Sequence, residues 1–81
     1  MGKNTIVKFK GIAPKIHDTS YIADGAVVAG DATIKKNANI WFNSVVRADV
    51  APIIIGENTN IQDGTIIHTS RFNGYTYIGK T

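Results

Sequence analysis

The sequence predicts an all-β fold: a parallel β-helix of about three coils plus part of a fourth, forming a single domain over residues 1–81. Three observations predict it. Aliphatic residues recur every six positions at Ile16, Ile22, Val28, Ile34, Ile40 and Val46. The position two before the later ones is small, at Ser20, Ala26, Ala32, Ala38 and Ser44. No segment has the three-to-four spacing of a helix-length amphipathic face, the two-residue alternation of a hairpin strand, or turn signals at sandwich spacing.

A period of six fits a triangular solenoid. Each hexapeptide supplies one short strand and a corner, with the aliphatic residue pointing inward and the small residue where a bulky side chain would collide at the turn. Three hexapeptides close a coil, and coils stack at about 4.8 Å, the spacing of hydrogen-bonded strands. After Val46 the phase slips by three residues where Pro52 stands. It resumes at Ile55, Ile61 and Ile67, with Thr59 and Thr65 in the small slots. A second insertion follows, and Ile78 opens another unit.

Composition narrows the function classes. Cysteine is absent, so there is neither a disulfide framework nor a thiolate metal site, and any metal must be held by His, Asp or Glu. The net charge of +3 is concentrated early, where Lys3, Lys8, Lys10, Lys15, Lys35 and Lys36 outnumber Asp18, Asp24 and Asp31. Only Phe9 stands directly between two of these lysines, short of the run of aromatic residues that a stacking platform would require, so the reading is a solvated basic end and no nucleic-acid partner. No apolar run has the length of a signal peptide or membrane span, and the expected setting is the cytoplasm.

The closing residues 74–81, GYTYIGKT, fit the letters of a phosphate-binding P-loop. That pattern acts only where a strand feeds the loop and a helix follows it. No helix follows. Ile78-Gly79-Lys80-Thr81 has the same form as Ile55-Gly56-Glu57-Asn58, so the match is a corner of the repeat. Tyr75 and Tyr77 carry no catalytic pattern.

The segment VVRADVAPIIIGENTNIQDGTIIH holds polar residues that a solenoid does not need. Arg47 and Asp49 follow inward Val46, Asn60 and Gln62 flank Ile61, and His68 follows Ile67. As neighbours of inward residues, all five are expected to project from one side of successive coils. The sequence here resembles the γ-class carbonic anhydrase-like family of hexapeptide-repeat proteins, which are trimeric left-handed β-helices. The resemblance runs from Ala13-Pro14-Lys15-Ile16-His17 through Ile40-Trp41-Phe42-Asn43 and Val46-Arg47-Ala48-Asp49-Val50 to Asn60-Ile61-Gln62-Asp63-Gly64 and His68. Its most specific parts are Arg47-Ala48-Asp49 and the Asn60 motif followed by His68.

The resemblance implies a left-handed coil, a hand that the period itself does not set. It implies that His68 is a zinc ligand and that Gln62 orients metal-bound water or bicarbonate. Arg47 and Asp49 would bridge subunits, supported by Asn60 and Asp63. The implied reaction is reversible hydration of carbon dioxide at a trimer interface, using zinc or another divalent metal. A catalytic zinc takes three protein ligands and leaves a fourth position for water.

The sequence holds two histidines, and His17 lies in the opening coil, far from His68 along the stack. In the family two further ligands lie on the next coil, and further coils and a C-terminal helix follow; neither is found here. The chain alone is therefore expected to be inactive, with a separate C-terminal half as a candidate partner. His17 reads as a capping or surface histidine. Arg47 and Asp49 are a surface ion pair or an interface pair. Trp41 and Phe42 pack against a missing helix or against a trimer neighbour. The alternative functions are a non-catalytic trimeric scaffold or binding protein, under a ferripyochelin-binding label used in the family, and a hexapeptide acyltransferase.

Overall fold

The computed structural model describes residues 5–69 and 76–79. Strands β1 (Thr5–Val7), β2 (Lys15–Ile16) and β3 (Tyr21–Ile22) precede the longer β4 (Val27–Ile34). Then come β5 (Asn39–Ile40), the longest strand β6 (Val45–Ile55), β7 (Asn60–Ile61), β8 (Ile66–His68) and β9 (Thr76–Ile78). Every pairing between these strands is parallel. Alongside them, Phe9 and Ile12 form an isolated antiparallel bridge.

The two long strands each turn a corner. Residues 27–30 of β4 pair with 45–48 of β6, and residues 32–34 pair with 53–55. The first halves join β1 and β8 as one face, and the second halves join β2 and β9 as another. The third face is the separate sheet β3-β5-β7. In chain order these faces give the expected three coils and part of a fourth.

The six-residue period becomes three inward columns. One contains Ile6, Val28, Val46 and Ile67. A second contains Ile16, Ile34, Ile55 and Ile78, and the third Ile22, Ile40 and Ile61. Val28, Ile34, Ile40, Val46 and Ile55 are fully buried, whereas Ile16, Ile22, Ile67 and Ile78 pack partly buried around them. Each fully buried aliphatic side chain contributes about 1.5–3 kcal/mol. Strand β4 alternates half-buried and buried residues along its whole length, the pattern of a strand with one face on the core.

The insertions in phase share one corner, between the first and second faces. Ile6 and Ile16 bracket the Phe9–Ile12 bridge in the first coil, and the pairing of β6 with β4 skips residues 49–52 in the third. In the fourth coil the step from β8 to β9 crosses the same corner. Pro52 thus marks a departure from the ladder, where a residue without an N–H does no harm.

The small slots are buried, as a collision at the turn requires: Ala26, Ala32, Ala38, Ser44 and Thr59 are all 1% exposed or less. In three slots a hydroxyl also ties one coil to the next. Ser20 Oγ donates to the Lys35 carbonyl at 2.7 Å, Ser44 Oγ to Gln62 at 2.6 Å, and Thr59 Oγ1 to Gly79 at 2.7 Å. Gly79 therefore occupies a corner, and Ile78 pairs with Ile55, as the repeat phase requires of the P-loop-like letters. Gly74, Tyr75, Lys80 and Thr81 of that motif, and Lys3, lie outside the described residues.

At Ala26, Ala38, Ser44, Thr59 and Thr65 the residue before the slot turns the chain. Asn37, Asn43 and Asn58 have φ near +60°, and Gly25 and Gly64 stand at the equivalent places with φ of 79° and 70°. Asn tolerates this left-handed region better than other residues with a Cβ. Asn58→Val is therefore expected to cost about 1–2 kcal/mol in urea unfolding, with Asn58→Gly close to wild type. Equal losses from both variants would show that the side chain, and not the backbone, matters there.

Candidate functional site

Arg47 and His68 are direct neighbours, because β6 pairs with β8 in the register Val45↔Ile66, Val46↔Ile67, Arg47↔His68. Both point outward, beside the inward pair Val46 and Ile67. Arg47 Nε lies 3.3 Å from Asp49 Oδ2, with the arginine side chain 54% and the aspartate 26% exposed. The other carboxylate oxygen, Asp49 Oδ1, is buried and has no partner among the described residues, a costly state for a charged acceptor unless a donor reaches it.

Two further contacts hold this strip in place. The excursion at 49–52 is anchored where the Ala51 N–H donates to Thr69 Oγ1 at 3.1 Å, and Thr69 is buried. Opposite the departure point stands Gly30, with φ of 77°. A Cβ on Gly30 would collide with the Ala48 carbonyl, one residue from Arg47 and from Asp49. Sequence reasoning missed both residues. Gly30 was signalled only as a glycine inside an apolar stretch, a sign of close backbone approach.

Asn60, Gln62 and Asp63 stand elsewhere. Asn60 is in β7 on the third face, in register with Asn39, and Gln62 and Asp63 lie in the corner that follows. That corner is fixed by Ser44 Oγ on the Gln62 carbonyl and by the Gly64 N–H on the Phe42 carbonyl at 2.9 Å. Both the Gln62 and Asp63 side chains are exposed. The expectation that all five polar residues share one side is thus corrected. A six-residue step turns a corner, so Ile61 and Ile67 belong to different faces, and their polar neighbours part with them.

Beside Asn60 and Gln62 lies an aromatic group. The Trp41 ring centroid is 5.0 Å from Tyr21 and 5.8 Å from Phe42. The Trp41 indole N–H donates to Asn39 Oδ1 at 3.0 Å, so its polar atom is satisfied and its ring remains for packing. His17 is placed at a corner of the first coil. Its Nδ1 accepts from the Thr19 N–H at 3.2 Å, which is the capping role.

Among the described residues, no group of three His, Asp or Glu side chains could hold a metal ion. His68 supplies one imidazole where a catalytic zinc needs three protein ligands. These residues alone do not fit a zinc centre.

The sequence pattern of the family described as bacterial transferase hexapeptide (six repeats) matches residues 13–48. A protein named carbonic anhydrase from Geobacillus kaustophilus is 46% identical over 68 residues, covering 84% of this chain. A probable carbonic anhydrase from Methanocaldococcus jannaschii is 51% identical over 59 residues, covering 72% of it. The chain belongs to the γ-carbonic anhydrase-like, hexapeptide-repeat family.

The fold agrees. A crystal structure of a hexapeptide transferase family protein from Anaplasma phagocytophilum superposes with a TM-score of 0.86 at 46% identity, over 94% of this chain and 43% of that one. This γ-carbonic anhydrase-like chain spans 37% of the length of the Geobacillus relative and 36% of the Methanocaldococcus one.

The packing around Arg47 gives a direct test. Gly30→Ala is expected to destabilise the chain by about 1–2 kcal/mol through its left-handed backbone. Its largest amide shift changes should fall at Arg47, Ala48 and Asp49. Changes confined to Gly30 and its chain neighbours would show that the two coils do not meet there.

Proposed function

We propose that this chain supplies part of a γ-carbonic anhydrase-type site, for reversible hydration of carbon dioxide, that is completed by another polypeptide. The observation that carries the reading is the division of its polar residues. Arg47 and His68 lie on one face with Asp49 beside Arg47 at its corner, and Asn60, Gln62 and Asp63 lie on or just beyond another. One chain cannot turn both sets toward the same point. A second copy related by rotation can set the first face of one chain against the third face of the next, and closed symmetry of this kind is the usual outcome for such assemblies. The family resemblance supports a trimer as that assembly.

The residues present suit the anion in this reaction. The half-exposed Arg47 guanidinium can hold bicarbonate through paired N–H donors while Asp49 fixes its orientation. The buried Asp49 Oδ1, unpaired among the described residues, is an acceptor that a donor from the neighbouring copy could satisfy. The Gln62 and Asn60 amides offer a donor and an acceptor each, enough to orient water or bicarbonate. His68 contributes one imidazole nitrogen. A zinc centre would require ligands beyond the described residues, and no step is derived through one.

A transferase reading is favoured by names alone: the family pattern matched is described as a bacterial transferase hexapeptide, and the Anaplasma protein that superposes on this chain is named a hexapeptide transferase family protein. It predicts consumption of acetyl-CoA in the presence of an acceptor. The hydration reading predicts none.

The decisive experiment mixes the purified chain with a polypeptide carrying the later coils of a γ-carbonic anhydrase relative, in buffer containing zinc, and measures carbon dioxide hydration by stopped flow. The chain alone is expected to stay at the background rate and the mixture to exceed it, with His68→Ala returning the mixture to background. Rapid hydration by the chain alone, or activity indifferent to His68→Ala, would contradict the assignment.

A further inference from the structure

Coil stacking also gathers charge on the second face, away from Arg47 and His68. Lys15 is in register with Thr33 across β2 and β4. His17 and Lys35 hold equivalent corner positions in successive coils, since the His17 N–H donates to the Ile34 carbonyl and the Lys35 N–H to the Ile55 carbonyl. Lys36 follows directly. These side chains line one groove, together with parts of Ile16, Ile34 and Glu57.

Stacked coils hold such neighbours at about the 4.8 Å strand spacing, so Lys35 stands beside His17, and Lys36 holds the position equivalent to Asp18 and Glu57 in the flanking coils. Among the described residues, none of the three lysines has a carboxylate within ion-pair distance. The row containing Lys15 continues as Thr33, Ile54 and Tyr77, so the positive charge is confined to the first two coils.

A short relay sets the histidine. The Asn37 N–H donates to Thr19 Oγ1 at 3.0 Å, and Thr19 contacts His17 Nδ1 through both its hydroxyl, at 2.9 Å, and its N–H, at 3.2 Å. An N–H aimed at Nδ1 requires that atom to be the acceptor, so neutral His17 carries its proton on Nε2. Asp18 Oδ1 lies 3.2 Å from the same Nδ1. The groove wall therefore combines three ammonium groups with a fixed-tautomer imidazole and the Thr33 hydroxyl.

We propose that this groove binds a phosphate-class dianion through Lys15, His17, Thr33, Lys35 and Lys36. A tetrahedral dianion has several acceptor oxygens for convergent donors and neutralises more than one lysine at once. No aromatic residue lines the groove, so it lacks the stacking platform that a nucleic-acid strand would use. The site lies on a different face from the proposed hydration residues and stands or falls independently of them.

The test is an amide NMR titration of the full chain with inorganic phosphate and then pyrophosphate, first at low ionic strength and then at about 150 mM salt, where exposed charges are screened. Saturable shifts are expected at residues 15–17 and 33–36. Affinity should fall about tenfold in the double variant Lys35→Gln/Lys36→Gln and stay unchanged in Lys8→Gln, which lies outside the groove. Both variants alter exposed side chains, and the amide spectrum verifies that each is folded. Absence of saturation, equal weakening by Lys8→Gln, or saturation by an acidic peptide but not by pyrophosphate would each overturn the proposal.

Discussion

Parallel hydrogen bonding between coils, in one fixed register, is the constraint on which the rest of this structure depends. It converts sequence separation into contact. Val28 meets Val46 after eighteen residues, and Val46 meets Ile67 after twenty-one. The difference is the three-residue excursion near Pro52, which leaves the ladder and returns without shifting the inward columns. A slip of one residue would turn Val28, Ile34 and Ile40 to solvent, so the aliphatic columns and the register enforce each other.

The corners let the backbone hold that register. Asn37, Asn43, Asn58, Gly25 and Gly64 take the left-handed turn, and the residue after each is small enough to lie beneath the next coil. Ser44 and Thr59 go further by donating to carbonyls one coil on, so that each buried hydroxyl has its partner. The longer excursions are confined to a single corner. The strip from Arg47 to Asp49 emerges there, held by Gly30 on one side and Thr69 on the other.

Much of this was legible in the sequence, because a period of six admits few folds and Pro52 marks the phase slip. The inward columns, the small slots and the corner at Gly79 all follow from Ile16, Ala38 and Ile78 by counting. Strand β1 did not follow. Ile6 stands ten residues before Ile16, and the bridge between Phe9 and Ile12 hides its phase. The positive φ of Asn58 was not read either, since asparagine is common in turns of many kinds. The grouping of site residues was half legible. That Arg47 meets His68 follows from stacking, but placing Asn60 and Gln62 with them overlooked the corner between Ile61 and Ile67. Pairwise distances across faces, and the basic groove around His17, come only from the assembled coil.

The claim that carries both the fold and the site is the register of β6 against β8, and isotope-edited NMR reads it directly. Cross-strand proton contacts are expected between the backbones of Arg47 and His68 and of Val46 and Ile67, with the equivalent contact between Ile40 and Ile61 on the third face. Contacts from His68 to Val46 or Ala48 in place of Arg47, or none between these coils, would contradict the account.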